Sequence, residues 1–149
     1  MTFDVEISVS DFPEIQDTFD AVKVMCQAAM ANRFATIVDR NFGFSGEARP
    51  ETWPILSYDY AKKFHDGQRI PTLQLTDALR QSIQIDDNSH DAAVVWTDCP
   101  YAADHQFGNP EKNLPARPFF PMDSAGFITP YAEAECLEAC ANELNRQLS

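Results

Sequence analysis

Alternation of apolar and polar residues predicts three strands in this chain. Residues 3–9 read FDVEISV, where every second residue is apolar, a pattern typical of a half-buried strand. Because this strand lies at the N-terminal end of the sequence, we expect it at a sheet edge, where unpaired backbone groups can pair with a neighbour. Ile83 and Ile85 begin a second strand, 86–91 form a polar turn, and 92–97 return as the other arm of a hairpin that includes Trp96.

Apolar residues at steps of three and four predict a long helix from Asp11 to Phe42. Asp11 and Glu14 have the spacing of a capping box, and the pattern stops at Gly43. At 1.5 Å per residue, about 30 residues make a rod of roughly 45 Å. One face of this rod is expected to line the core, and the remainder is a candidate for subunit packing. The predicted apolar stripe comprises Ile15, Phe19, Val22, Cys26, Met30, Phe34 and Ile37.

Three shorter helices complete the predicted elements. One covers about 57–64, one lies within 73–82 with Thr76 as its N-cap, and one closes the chain over 131–148. Trp53 is expected to anchor the loop before the first of them to the core. The sequence thus predicts a single α+β domain, 1–149, in which a long N-terminal helix and a C-terminal helix pack on a small, mainly antiparallel sheet.

Residues 101–121, YAADHQFGNPEKNLPARPFFP, have a composition that ordinary helices and strands do not share. Four prolines exclude a long helix or a central strand, because proline lacks the backbone N–H that both need. Pro115, Pro118 and Pro121 recur with the three-residue period of polyproline II. We therefore expect an extended, proline-rich ribbon that carries aromatic residues and docks on its own domain or on a neighbouring chain.

The chain is strongly acidic, since its 149 residues carry a formal net charge of -12. This charge argues against a sequence-reading nucleic-acid binder, which needs a basic face, but it is compatible with a surface that DNA slides past. The window 86–98 contains no Lys or Arg, and its carboxylates are Asp86, Asp87, Asp91 and Asp98. The sequence has no apolar run long enough for a membrane span.

Residues able to carry chemistry are present, but they do not form a recognisable catalytic or metal-binding motif. Cys99, Asp104 and His105 invite a nucleophile or acid–base interpretation, yet no nucleophile elbow or glycine-rich turn accompanies them. Cys136 and Cys140 share one helix face without zinc spacing, and we expect the cysteines to be buried free thiols. P-loop, dinucleotide and EF-hand fingerprints are absent from the sequence. We therefore expect a protein that is not an enzyme and holds no cofactor or metal.

Four short motifs occur in order between residues 53 and 120. They are Trp53-Pro54-Ile55-Leu56 with Tyr60 and Lys63, Leu75-Thr76-Asp77-Ala78-Leu79 with Ser82-Ile83, Tyr101-Ala102 with His105-Gln106-Phe107-Gly108, and Pro115-Ala116-Arg117-Pro118-Phe119. Together they resemble the phage virion morphogenesis family of tail-completion proteins, which includes the G protein of Mu-like phages. Family members often read T-G-x-L where this chain has Thr76-Asp77-Ala78-Leu79. This departure puts in doubt any close backbone approach that a glycine would permit.

The resemblance implies a structural virion protein at the head–tail junction, acting in tail completion, tail termination or the neck. It also implies assembly in the host cytoplasm into a ring, with a hexamer favoured over a dodecamer, that contacts other neck, connector and tail-tube proteins. DNA would pass through the ring as cargo, and an acidic lumen would repel its phosphates. The candidates for the lumen or ring face are Asp86, Asp87, Asp91 and Asp98, and the alternative is a merely solvated acidic turn.

The motif residues proposed for fold closure and for subunit or partner contacts are Trp53, Tyr101, His105, Phe107, Arg117 and Phe119. Arg117 is expected to tie the ribbon to carboxylate or carbonyl groups through its planar fork of donors, with Arg49 serving as an ordinary surface arginine for comparison. Two other functions stay open. One is a non-virion adaptor or chaperone for a tail protein, docking through strand 3–9 or the ribbon. The other is an assembly peptidase that uses Cys99 and His105.

Overall fold

The computed structural model describes residues 3–8, 20–43, 48–64, 66–67, 77–87, 89 and 91–149. In chain order the elements are β1 (Phe3–Ile7), α1 (Asp20–Asn41), α2 (Tyr58–Phe64), α3 (Ala78–Gln81), β2 (Gln84–Asp86), β3 (Ala93–Thr97), α4 (Ala102–Phe107), a 3-10 turn (Pro110–Lys112) and α5 (Pro130–Leu148). The predicted α+β class is confirmed, because long helices pack with one small antiparallel sheet.

The sheet places β3 in the centre, with β1 and β2 antiparallel on its two sides. Val95 of β3 lies opposite both Val5 and Ile85, which confirms the predicted hairpin and the edge position of β1. Side chains alternate between the two faces of a strand. Val5 and Val95 are therefore buried in the core that α1 covers, whereas Asp4 is exposed on the opposite face.

Helix α1 lies between the sheet and α5 and supplies the largest share of the core. Its predicted stripe is confirmed from Cys26 onward, since Met30, Phe34 and Ile37 are fully buried. The described helix has 22 residues and a length of about 33 Å. The predicted start at Asp11 and its capping box lie outside the described residues. An ion pair between Arg33 and Glu135, with 2.7 Å from Nη1 to Oε2, joins α1 to α5.

The bounds of helix α5 agree with the sequence prediction to within one residue. Pro130 occupies the first turn, and the Thr129 hydroxyl accepts a hydrogen bond from the Ala132 N–H at 3.4 Å. Proline fits this position because the first helical N–H has no partner inside the helix. The buried residues of α5 are Ala132, Cys136, Ala139 and Cys140.

Helix α3 begins one residue later than predicted, and its N-cap is Asp77 instead of Thr76. The Asp77 backbone is left-handed, with φ 57°, and its side chain makes no capping hydrogen bond. Thr76 lies outside the described residues. Glycine adopts positive φ without strain. The positive φ at Asp77 is thus a conformation that a glycine would adopt without strain, and α3 forms here with aspartate at this position.

The predicted ribbon over 101–121 is correct only in its second half. Residues 102–107 form α4 and Pro110–Lys112 form a 3-10 turn, so the first half is helical. The physical reason is that residues 101–109 contain no proline. Asn109 then caps the 3-10 turn by accepting hydrogen bonds from Glu111 N and Lys112 N. Within 101–121, the residues that lie outside helix, turn and bridge are Gly108 and 115–121.

All four cysteines are buried free thiols, as the sequence predicts. Burial raises the pKa of both Cys136 and Cys140 to about 12. Both side chains therefore stay uncharged at neutral pH and act as small apolar core residues. Within the described part of the chain, every helix is too short or too polar to span a lipid bilayer.

Candidate functional site

The centre of the motif region, residues 53–120, is the side chain of Gln106. It holds the backbone of the proline-rich segment, residues 115–121, against α4. Its Oε1 accepts hydrogen bonds from Phe119 N at 3.0 Å and Phe120 N at 2.9 Å. Its Nε2 donates to Phe120 O at 3.2 Å. Gln106 is only 3% exposed, so these bonds satisfy backbone groups that water cannot reach. The sequence analysis placed Gln106 in a motif but assigned it no role.

Phe119 and Phe120 join the proline-rich segment to α1 and β1. Both are fully buried, and Phe120 contacts Phe34 of α1 and Phe3 of β1, with ring centroids 5.8 and 4.7 Å apart. Phe119 meets Phe42 at 5.3 Å. Edge-to-face and tilted ring pairs of this kind contribute about 0.5–1.5 kcal/mol beyond area burial. Phe119 and Phe120 therefore pack inside the protein and close the fold.

Two side chains join the loop before α2 to the proline-rich segment. Trp53 belongs to the loop and donates to the segment, whereas Arg117 belongs to the segment and donates to the loop. The Trp53 indole N–H donates to Pro118 O at 2.8 Å, and Trp53 is 5% exposed, which confirms its predicted anchoring role. Arg117 Nε donates to Pro54 O at 2.9 Å, while Arg117 N donates to His105 O at 2.6 Å. The prediction that Arg117 ties the segment to carbonyl groups is confirmed within one chain.

Arg49 is not an ordinary surface arginine, and that expectation was wrong. Its guanidinium stacks over the Trp53 ring, with 3.7 Å from Cζ to the ring centroid. Its Nε donates to Asn41 O at 2.8 Å and its Nη2 to Gly43 O at 2.7 Å, so it caps the C-terminal end of α1. Sequence reasoning missed this role because an arginine in a glycine-rich loop carries no periodic signal.

Asn41 is a second buried polar residue that the sequence analysis did not single out. It is fully buried at the end of α1, and its Nδ2 donates to Phe119 O at 2.9 Å. Together with Gln106, it satisfies the backbone on both sides of the Phe119 side chain. The only available signal was a polar residue at an apolar position of the α1 stripe.

Gly108 lets the chain turn tightly between α4 and the 3-10 turn. Its backbone has φ 77° and ψ 162°, a combination found essentially only in glycine. A Cβ at this position would lie 2.9 Å from Ala116 N, a distance that requires the backbone to shift. The His105-Gln106-Phe107-Gly108 motif therefore ends in a residue that the fold requires.

His105 and Tyr101 form an aromatic pair at the edge of this region, with ring centroids 5.7 Å apart. Burial lowers the pKa of His105, the nearby Arg117 lowers it further, and Asp104 opposes both effects. A side-chain hydrogen bond with Cys99 raises the pKa of Tyr101. The Cys99 thiol therefore lies within reach of the Tyr101 hydroxyl. The peptidase alternative for Cys99 and His105 stays a hypothesis.

The six predicted contact residues differ in burial, and His105 is half-buried, between the two extremes. Trp53, Arg117 and Phe119 are buried inside the chain, where they close the fold. Tyr101 is 39% and Phe107 is 51% exposed, so these two rings are the ones available to a neighbouring molecule. Their role in subunit or partner contacts stays a prediction.

The four acidic candidates do not lie together. Asp86, Asp87 and Asp91 are exposed at the tip of the β2–β3 hairpin. Asp98 follows the last residue of β3, at the opposite end of the sheet. Seven residues of extended chain separate Asp91 from Asp98, which corresponds to roughly 23 Å. The hairpin tip is therefore one acidic surface, and Asp98 belongs to another.

The fold and these contacts define a small acidic α+β protein whose motif residues close its own core. The described residues contain no group of three His, Cys, Asp or Glu side chains able to hold a metal ion. The chain is 30% identical over 145 residues to Mu-like prophage FluMu G protein 2 of Haemophilus influenzae, covering 90% of this chain and 91% of that protein. The chain belongs to the family of this Mu-like prophage G protein. No family model and no solved structure matches it.

Proposed function

We propose that this chain is a structural virion protein of the head–tail junction, a tail-completion, tail-terminator or neck component. The observation that carries the proposal is the similarity to a Mu-like prophage G protein along nearly the whole of both chains. The motifs add support, because Trp53, Gln106 and Phe119, from three of the four, are buried and hydrogen-bonded within one part of this fold. On this proposal the protein is located in the virion, after assembly in the host cytoplasm.

The proposed assembly is a ring around the DNA channel, with a hexamer favoured and a dodecamer as the alternative. Its other partners would be neck, connector and tail-tube proteins, and DNA would be passing cargo without sequence-specific binding. The net charge of -12 supports this role, because an acidic lumen repels phosphates and keeps DNA from sticking. Asp86, Asp87 and Asp91 at the hairpin tip are the first candidates for the lumen face, and Asp98 is a separate one.

Two measurements test the ring proposal together. Mass photometry of the purified protein should reveal a closed assembly of 16.8 kDa chains, and proteomics of purified phage particles should detect the chain. A strictly monomeric protein that is missing from the particles would refute the proposal. Detection in particles at a fixed copy number relative to the other neck proteins would support it.

The lumen assignment predicts a gain of DNA binding when the hairpin tip is neutralised. A variant with Asp86→Asn, Asp87→Asn and Asp91→Asn should bind duplex DNA more tightly at low salt, because three phosphate-repelling charges are removed. The matched control neutralises three exposed carboxylates elsewhere, through Glu51→Gln, Asp59→Asn and Glu111→Gln. Equal DNA binding by the two variants would show that the tip has no special position relative to the channel.

The alternative is a non-virion adaptor or chaperone that binds a tail protein and then leaves. The outer edge of β1 favours this reading, because no described segment pairs with it and an open strand edge can pair with a partner segment. Proteomics of mature particles separates the alternatives, since a chaperone should be present in lysates and absent from particles.

Neither proposal assigns a catalytic step to the chain. Replacing Cys99 by Ala, and His105 by Gln, should therefore leave the specific infectivity of assembled particles unchanged. A loss of particle maturation in a well-folded Cys99→Ala variant would favour the peptidase alternative instead.

A further inference from the structure

The outer edge of β1 is open to a new strand. β1 pairs with β3 over Phe3–Ile7, and among the described residues no other segment pairs with its second edge. Unpaired N–H and C=O groups along an edge are a template for another strand. The edge is not shielded by proline or lysine, since β1 reads FDVEI.

A groove of about 500 Å³ runs along this edge. One wall comes from β1, and the other comes from the turn before α5 and from the first turn of α5. The side chains that define it are Asp4, Glu6, Met122, Phe127, Ile128 and Glu133. Neighbouring strands in a sheet lie about 4.8 Å apart, so a strand that pairs with β1 would enter the space between these two walls.

The wall opposite β1 is a well-built turn that holds an aromatic ring in solvent. Asp123 Oδ1 accepts hydrogen bonds from Ala125 N at 2.9 Å and Phe127 N at 3.0 Å, and Met122 pairs with Ile128 through a β-bridge. Phe127 is 71% exposed at this turn. A large apolar ring displayed by a fixed backbone is available for contact with a bound segment.

The chemistry of the groove selects a cationic occupant. Three carboxylates, from Asp4, Glu6 and Glu133, line it together with the Phe127 ring, and none of the described lining residues is basic. Carboxylates form charge-assisted hydrogen bonds with Lys and Arg, and an aromatic face attracts the same cations. We propose that the groove binds an extended segment of a partner protein that carries Lys or Arg at alternate positions and adds to β1 as a fourth strand.

The alternation follows from the two faces of β1. Asp4 and Glu6 project to the same face, so every second residue of the added strand lies beside a carboxylate. The residues between them face Met122 and Ile128, which pack with the same core as Val5. The preferred segment therefore alternates basic and apolar side chains.

A second copy of β1 is a poor occupant of the same groove. Pairing two copies edge to edge would bring Asp4 and Glu6 of one chain beside the same acidic residues of the other. Like charges on neighbouring strands are destabilising. The inference concerns a different protein and stands on the groove alone, so it holds whether or not the chain forms a ring.

Fluorescence anisotropy with a short labelled peptide of alternating lysine and valine tests the proposal on the full chain. The first comparison is a peptide of the same length and charge in which a central valine is replaced by proline, which prevents strand pairing. The unbroken peptide should bind about tenfold more tightly, and a peptide with glutamate in place of lysine should not bind. Equal affinity for the unbroken and proline-interrupted peptides would overturn strand addition.

Two variants test whether the peptide binds in the groove. Asp4→Asn with Glu6→Gln should weaken peptide binding about fivefold, since two cross-strand charge pairs are lost. Glu51→Gln with Asp59→Asn removes the same charge from exposed positions elsewhere and should leave the affinity unchanged. Equal losses from both variants would mean that only the overall charge matters, and the proposal would fail. It would also fail if the groove variant abolished self-assembly, since the edge would then be a seam between copies.

Discussion

Gln106→Met should be among the most destabilising single changes in this protein. Methionine matches glutamine in length but offers no strong acceptor or donor, so Phe119 N and Phe120 N lose their partner inside the core. Leaving one buried donor unsatisfied costs about 1–3 kcal/mol, and two donors therefore cost roughly 2–6 kcal/mol. Since the total stability of a domain is about 5–15 kcal/mol, this variant loses a large fraction of it.

Urea unfolding followed by tryptophan fluorescence measures this loss, because Trp53 contacts the same segment. The midpoint should fall while the slope of the transition stays unchanged, which assigns the effect to the folded state. Gln81→Met, at an exposed position of α3, is the matched control and should change stability by less than about 0.5 kcal/mol. A loss below about 1 kcal/mol in Gln106→Met would refute the reasoning that these hydrogen bonds hold the segment.

Three further predictions follow from the same region. Arg117→Lys should lower the free energy of unfolding in urea by about 1–2 kcal/mol and weaken assembly, because lysine lacks the planar fork of donors. Arg40→Lys, at an exposed position, is the control and should be neutral. Equal effects of the two changes would count against the proposed hydrogen bonds of Arg117 to backbone carbonyl groups. The pKa of His105 is lowered in the folded state, so the unfolded chain binds the proton first and stability falls as pH drops below about 6.5. His105→Gln should reduce the melting-temperature loss between about pH 7.5 and 5.5, and an unchanged loss would contradict this assignment. Gly108→Ala should destabilise the protein more than Gly67→Ala does. Both glycines have positive φ, but of the two only Gly108 has backbone atoms within 4 Å of an added Cβ. Similar losses would mean that the strain of positive φ alone decides the effect.

The elements that the sequence predicts well are those whose signal is local and periodic. The stripe through Met30 and Phe34, and the alternation through Val5, repeat often enough to identify α1 and β1 without knowledge of their partners. The hairpin was predictable for the same reason, because a polar turn separates its two apolar arms. In each case the residues that make the pattern are the residues that the fold buries.

Helix α4 was missed because six residues hold too little periodicity to be recognised. Its stability comes from contacts distant in sequence, namely Gln106 with Phe119 and Phe120, and Arg117 N with His105 O. The prolines that suggested a ribbon begin only at Pro110, after α4 has ended. A composition averaged over 101–121 therefore hid a boundary between a helical half and an irregular half.

Arg49 and Arg117 illustrate why side-chain roles were harder to predict than elements. Both arginines lie beside prolines in loops, and both donate hydrogen bonds to backbone carbonyls. Sequence reasoning separated them, because one belonged to a recognised motif and the other did not. Their actual similarity depends on where Trp53 and the end of α1 lie in space, which no local pattern encodes.

Because the motif residues are buried, the resemblance to a phage family indicates the fold of the chain more directly than it indicates the binding partners. Trp53, Gln106, Arg117 and Phe119 identify the chain because they close its core, and a closed core specifies a fold more directly than a partner. The surfaces open to other molecules carry different residues, such as Phe127 beside the edge of β1 and the acidic tip of the hairpin. Assembly experiments are therefore best directed at these open surfaces, where a substitution can change a contact with a neighbouring protein without disturbing the core.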